Sequence, residues 1–572
     1  MEEQAPYKGK IVVQFHVRVP WGFTFPAIQK TRRTMNMDFY SKMKQTVDNV
    51  SVTENGMTGY KTTYHPLLDM NFKISSYRSL DEKEIVKDFL KILNSEDAKY
   101  ALRFLFMVRD IREGLGERRL FRACIKELIK HKFEHKETIV DLIITKFIPE
   151  YGRYDDLFVF EGAEYESVMF DFLKSTLSKD CDNMSTGHAI SLLAKWMPSI
   201  NTSCKETKRL ASKCIKAFGT TPREYRKLLS ALRSYLKVLE VKLSANEWDE
   251  VDYNTVPSKA NLKYKEAFLR HDEERRRDYL AKLRLGDKTA RINSSVNYPH
   301  EIVASYRGSR DYDETLEQLW KNLKQMSGIE DTIVVRDGSG SMTSLIGGTK
   351  NIRPLDVSTA LAIYCSERLN ADFKDKFITF SFDAKLIDLS KEKSLSSKLT
   401  KCYMEDECSN TNLANVFELI YNTAVEHKMK PEDLPKQILI VSDMEFDPSG
   451  YDVYWSHTGF NCDTNVIKAA SRLFTNAGYK LPKLVFWNVA SRSNTIPCKE
   501  NENGVVLVSG FSVNTLKMVL NGETDPYKTL EKELNSKRYS DIPLLSLTPL
   551  SSFEKKDKVS NNNKYTKPSW LK

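Results

Sequence analysis

Thr332-Ile333-Val334-Val335-Arg336-Asp337-Gly338-Ser339-Gly340-Ser341-Met342 is the stretch at which the character of the chain changes. Four β-branched residues run into an acid and two hydroxyls spaced D-x-S-x-S, with Gly338 and Gly340 allowing the backbone to turn sharply. A short apolar run bounded by turn residues reads as a strand covered on both faces. Comparable runs follow at Phe377 to Phe382, Gln437 to Ser442, Lys483 to Asn488 and Val505 to Val508, with helical stretches such as Leu355 to Leu369 and Leu413 to His427 between them. Strand alternating with helix predicts a doubly wound parallel sheet, and ligands gather where the carboxyl ends of its strands meet loops.

The D-x-S-x-S turn predicts a metal site when combined with two later features. Asn410-Thr411-Asn412 precedes a helix, and Ile440-Val441-Ser442-Asp443 ends a second apolar strand with an acid. Five oxygens can then converge from Asp337, Ser339, Ser341, Thr411 and Asp443. Carboxylates and hydroxyls are hard ligands, so the ion expected is magnesium or manganese. Ser339, Ser341 and Thr411 are expected on the ion, with Asp337 and Asp443 acting through water. In isolation the same turn would read as a helix cap. The strand before it and the two distant partners favour the cation.

Upstream, from about Asp81 to Gln325, apolar residues recur at helical spacing. Ile85, Phe89, Leu90, Ile92 and Leu93 form one stripe, and Leu228, Leu229, Leu232, Tyr235, Leu236 and Leu239 form another. Each such helix has one stripe to bury, so a succession of them predicts an α-solenoid of packed helix pairs. The expected fold is therefore α plus α/β, a HEAT-like helical-repeat array followed by the doubly wound sheet. The expected divisions are an extension over residues 1–50, a helical domain over 51–328, the sheet domain over 329–550 and a flexible tail over 551–572. Lys10 to Val19 can form a strand within the extension.

Charge is distributed unevenly. Residues 1–330 hold 56 basic and 47 acidic side chains, whereas residues 331–572 hold 31 and 30. Residues 201–300 alone carry 22 basic against 13 acidic, so the surplus lies where a polyanion can be held. The RNA-binding candidates are Lys205, Lys208, Arg209 and Lys213 on one helix, Arg223, Arg226 and Lys227 after a Thr-Pro turn, and Arg109, Arg112, Arg118 and Arg119 around Gly114 and Gly116. The competing reading of each cluster is a solvated, ion-paired helix face. That reading prevails for Arg275-Arg276-Arg277, which Asp272, Glu273, Glu274 and Asp278 surround.

The D-x-S-x-S turn, the threonine turn and the later acid resemble the metal-ion-dependent adhesion site of a von Willebrand factor A domain. Further upstream, Asn55-Gly56-Met57, Tyr60-Lys61-Thr62-Thr63 and Arg109-Asp110-Ile111-Arg112-Glu113-Gly114-Leu115-Gly116-Glu117-Arg118 resemble the Ro ribonucleoproteins. The likeness is greatest to uncharacterised relatives of that family in bacteria, plants and large DNA viruses. It rests on Tyr151-Gly152-Arg153-Tyr154-Asp155-Asp156-Leu157, Leu193-Ala194-Lys195-Trp196-Met197-Pro198 and Ser442-Asp443-Met444-Glu445-Phe446-Asp447, and spans about residues 50–520. It implies a ring of helical repeats, the TROVE module, joined to a von Willebrand A domain. It also implies that small structured RNAs bind on the outer ring and single-stranded RNA ends pass through the hole. Arg336 beside the metal-site acid and the extension before residue 50 depart from the family pattern.

Other activities lack their apparatus. There is no P-loop, no H-E-x-x-H and no complete G-x-G-x-x-G after a strand, and Asp337 stands where a nucleophile elbow needs glycine. His131 and His135 have no third ligand nearby, and Cys402 and Cys408 lie in a polar loop without histidine. Nine cysteines scattered over 572 residues read as reduced thiols. No apolar run reaches the roughly 18 residues of a membrane span. The Met-Glu-Glu start lacks a leader, so a cytoplasmic, non-catalytic protein that does not enter membranes is expected. The rival expectation is a metal-dependent adhesion-type scaffold that captures an acidic protein partner and no RNA.

Overall fold

The computed structural model describes residues 39–326, 331–347, 349, 351–369, 373–381, 383–447, 466–498, 504–520 and 525–547. The strand expected at Lys10 to Val19 and the tail over 551–572 lie outside the described residues. The chain divides into two units, residues 1–48 and 49–572. The described part of the first is helix α1 (Phe39–Asp48).

The second unit begins with an antiparallel hairpin of β1 (Val50–Val52) and β2 (Thr58–Tyr60). Helices follow, among them α2 (Pro66–Phe72), α3 (Glu82–Leu93), α4 (Ala101–Arg109), α5 (Arg118–Leu128), α6 (Glu166–Ser185), α7 (Lys205–Phe218), α8 (Pro222–Tyr235) and α9 (Pro299–Ser305). The expected stripe of α3 buries Ile85, Phe89, Ile92 and Leu93, and that of α8 buries Leu229 and Leu232. The second stripe does not form one helix to Leu239. Lys237 takes a positive φ of 50°, which breaks the helix, and Leu239 joins a separate small core with Tyr253, Phe268 and Tyr279.

The sheet runs β5-β4-β3-β6-β7-β8, formed by β3 (Thr332–Asp337), β4 (Lys376–Phe380), β5 (Ala384–Asp388), β6 (Gln437–Ser442), β7 (Lys483–Asn488) and β8 (Val505–Ser509). Five strands are parallel, as expected. The sixth, β5, pairs antiparallel with β4 and makes the sheet mixed. Its sequence Ala-Lys-Leu-Ile-Asp has no continuous apolar run because it is an edge strand, with Leu386 exposed and Ile387 buried.

Helix α10 (Pro354–Ser366) lies between β3 and α9, and all thirteen of its residues are buried. Its small and apolar residues on every side suit that position, since a helix without a polar face has to be covered all round. One continuous hydrophobic core runs from Met57 to Leu545, so helices and sheet share an interior. After β8, helix α11 (Pro526–Leu534) and the segment behind it return to the early helices. Tyr527 bonds Asp97 at 2.6 Å, Arg538 bonds Asp110 at 2.8 Å, and the Leu545 amide donates to the Lys99 carbonyl at 2.9 Å. Among the described residues no helix is long and apolar enough to cross a membrane.

Candidate metal centre and nucleic-acid interface

The chain leaves β3 toward β4 on one side and returns to β6 on the other. The carboxyl ends of β3 and β6 therefore flank a topological switch point, where a crevice opens in a parallel sheet. Asp337 and Asp443 stand there, both fully buried. Asp337 accepts from the Ser339 amide at 2.9 Å and from the Ser442 hydroxyl at 2.5 Å. The Ser339 and Ser341 hydroxyls lie 3.0 Å apart. Asp443 accepts from the Glu445 amide at 3.2 Å and from the Arg492 guanidinium at 3.2 Å.

The electrostatics show what the cluster lacks. Burial raises the Asp337 carboxyl above its ordinary range. Burial, and then the neighbouring Asp337 charge, pushes Asp443 up to about 7, with Arg492 and the Ser341 hydroxyl acting the other way. Arg492 on Asp443 and the buried Arg336 next to Asp337 pull the other way, yet both carboxyls stay raised, so the pair is short of positive charge. The remaining donors are hydroxyls, so the set fits a hard divalent cation. Among the described residues no group of three or more His, Cys, Asp or Glu side chains is placed to hold a metal ion, so the candidate set rests on two acids and its hydroxyls.

Thr411 arrives by a different route. Its loop lies against the D-x-S-x-S turn, where the Gly340 amide donates to the Ser409 carbonyl at 3.2 Å, and a side chain on Gly340 would meet the Cys408 carbonyl oxygen at 2.9 Å. Thr411 is buried, and its amide donates to Asp447 at 2.6 Å. The structure thus gathers Asp337, Ser339, Ser341 and Asp443, with Thr411 alongside on the adjoining loop. Among the described residues no hydrogen bond joins its hydroxyl to either acid. Arg336 points to the opposite face of β3, where it pairs with Asp406 and donates to Thr359 and Thr379 at 3.1 Å each.

Sequence reasoning missed Glu445, Asp447, Arg492 and Glu54. The alternate acids of Ser442-Asp443-Met444-Glu445-Phe446-Asp447 were the available signal, because each serves a different neighbour. Asp443 faces the crevice and Asp447 fastens the Thr411 loop. Buried Glu445 accepts from the amides of Arg492 and Ser493 at 2.7 Å each, and from the Glu54 amide at 2.7 Å. Met444 between them adopts a φ of 63°.

The basic candidates separate into two groups. Arg109 is buried against Asp156 at 2.7 Å, so its charge is spent inside the molecule and not on a nucleic-acid face. Arg112 reaches Glu150 at 3.3 Å, Arg118 reaches Asp155 at 3.5 Å, and Arg119 donates to the Tyr77 carbonyl at 2.7 Å. On α7, Arg209 holds Glu161 at 2.6 Å and Lys213 pairs with the same carboxylate. Lys205, Lys208, Arg223, Arg226 and Lys227 are exposed on α7 and α8 and make no ion pair among the described residues. The two helices are neighbours and both pack on α6.

A protein of Acanthamoeba polyphaga mimivirus described as "Uncharacterized protein L728" is 30% identical over 512 residues, covering 83% of this chain and 85% of its own. The chain belongs to the L728 family. Within it, residues 216–332 match a domain of unknown function (DUF2828) and residues 331–564 match another (DUF7788). In this L728-family chain the two matches meet at the start of β3, one strand's length before the candidate cation cluster.

Proposed function

We propose that this protein is a non-catalytic RNA-binding protein, cytoplasmic, in which a TROVE-like array of helical repeats holds small structured or single-stranded RNA and a von Willebrand A-like domain holds magnesium or manganese. The observation that carries the reading is that Lys205, Lys208, Arg223, Arg226 and Lys227, on α7 and α8, are exposed and make no ion pair among the described residues. Cations dispersed over two adjacent helices suit phosphates, and releasing the counterions of RNA there gives affinity without sequence readout. Arg209 and Lys213 border the patch but are held by Glu161.

Asp337, Ser339, Ser341, Thr411 and Asp443 would hold the cation. A bound Mg²⁺ supplies a coordination position for an acidic oxygen from a partner. This chain's own residues fix the acids, exclude water from them and set the approach: Ser442 and the Ser339 amide orient Asp337, while Asp447 keeps the Thr411 loop in place.

Filter binding of the full chain with assorted RNAs over a salt series tests the reading. Micromolar or tighter binding at low ionic strength that weakens steeply with salt is expected, and a combined K205Q/K208Q/R226Q chain should flatten the slope by roughly two to three charges. Salt-insensitive or absent binding would overturn it. The carboxylate-hydroxyl cluster supports a second reading, a scaffold that captures an acidic protein partner through its cation. A stoichiometric partner released by chelator, with no nuclease-sensitive material copurifying, would favour that reading.

A further inference from the structure

Arg492 is the one cation in contact with the candidate metal cluster's acids, among the described residues. It stands on the loop after β7, and its backbone is fixed independently of its side chain, since the Arg492 and Ser493 amides both donate to buried Glu445. The guanidinium spans two carboxylates, donating from Nη1 to Asp443 at 3.2 Å and from Nε to Glu54 at 2.5 Å. The two anchors differ in kind. Asp443 is completely buried, whereas Glu54, on the turn of the β1–β2 hairpin, is 57% exposed and Arg492 itself 41% exposed.

The hairpin turn that carries Glu54 is itself fastened to the same site. Thr53 donates to the Phe446 carbonyl at 2.6 Å, and Asn55 donates to the Glu445 carbonyl at 2.6 Å. Glu54 is therefore held beside Arg492 whether or not the arginine touches Asp443. A guanidinium and a divalent cation cannot both sit against one buried carboxylate without strong repulsion, because the charge of each is poorly screened there. The half-exposed arginine is the partner able to withdraw.

We propose that Arg492 is a resident counter-ion that sets the affinity of the site: it covers Asp443 while no metal is bound and withdraws onto Glu54 when a divalent cation takes its place. This rests on the cation reading of Asp337, Ser339, Ser341, Thr411 and Asp443 given above. Removing Arg492 then removes a competitor, whereas removing the Glu54 charge takes away its second hydrogen-bonded carboxylate, leaving only the Glu445 charge nearby, and favours its stay on Asp443. The two neighbours act in opposite directions, which a merely structural loop contact would not produce.

The test is Mn²⁺ titration of the full chelator-stripped chain, with free Mn²⁺ read by electron paramagnetic resonance. R492Q should bind Mn²⁺ about tenfold more tightly than the unaltered protein, R492K should stay within about threefold of it, and E54Q should bind about threefold more weakly. D443N is the control that loses uptake. If D443N abolishes binding but R492Q binds equally or less tightly, the arginine is a support and the inference fails while the cation site stands. Should R492Q not fold, E54Q binding as tightly as the unaltered chain would overturn the inference alone. No uptake by any chain, R492Q included, would overturn both.

Discussion

Glu161 illustrates how single residues decide which charges are available. Its carboxylate bonds Arg209 through two oxygens at 2.6 and 2.8 Å and also takes Lys213, and these bonds, the one from Arg209 foremost, hold it down at about 2. Two of the eleven sequence-selected cations are thereby withheld from solvent partners. E161Q should loosen both, leaving Arg209 its bond to Glu206 and Lys213 its longer pair with Glu166, and RNA affinity at low salt should rise about twofold with a steeper salt slope. Unchanged filter binding would show that α7 does not face the nucleic acid. The residues of D-x-S-x-S were legible because acid and hydroxyl types at fixed spacing carry their own chemistry. Glu161 was not, because its partners lie 48 and 52 positions away.

At the scale of elements, the D-x-S-x-S turn and the Thr411 loop are packed as one piece. A Cβ on Gly340 would come within 2.9 Å of the Cys408 carbonyl oxygen, and a backbone atom cannot swing aside as a flexible side chain does. G340A should therefore cost about 1–3 kcal/mol in a denaturant titration and weaken Mn²⁺ uptake as Thr411 is displaced. A variant with unaltered midpoint and uptake would show that the two loops are not coupled. Apolar runs made β3, β4, β6, β7 and β8 readable within a residue or two of their ends. Strand β5 escaped because an edge strand half open to water needs no such run. The β1–β2 hairpin escaped as well, with three residues per strand and its partner Ile496 more than 430 positions away.

For the molecule as a whole, the return of α11 to the early helices leaves Glu533 half-buried. Burial pushes its carboxyl up to about 7, with Lys517 and Glu113 nearby. A carboxyl raised in the folded state favours folding most below its unfolded value near 4.5, and that contribution is lost as pH rises through about 7. E533Q should thus be more stable than the unaltered chain at pH 8 and equal to it near pH 4, as read from denaturant midpoints. Equal midpoints at both pH values would show that Glu533 is solvated. What the sequence determined by itself was local: which stretches are strand or helix, and which loops carry oxygen ligands, since periodicity and residue chemistry act over a few positions. Tertiary structure alone decided which charges remain free, because ion pairs such as Arg109 with Asp156 join distant segments. It also decided that Arg492 and Glu54 meet at Asp443, since strand order, not spacing along the chain, brings three loops to one end of the sheet.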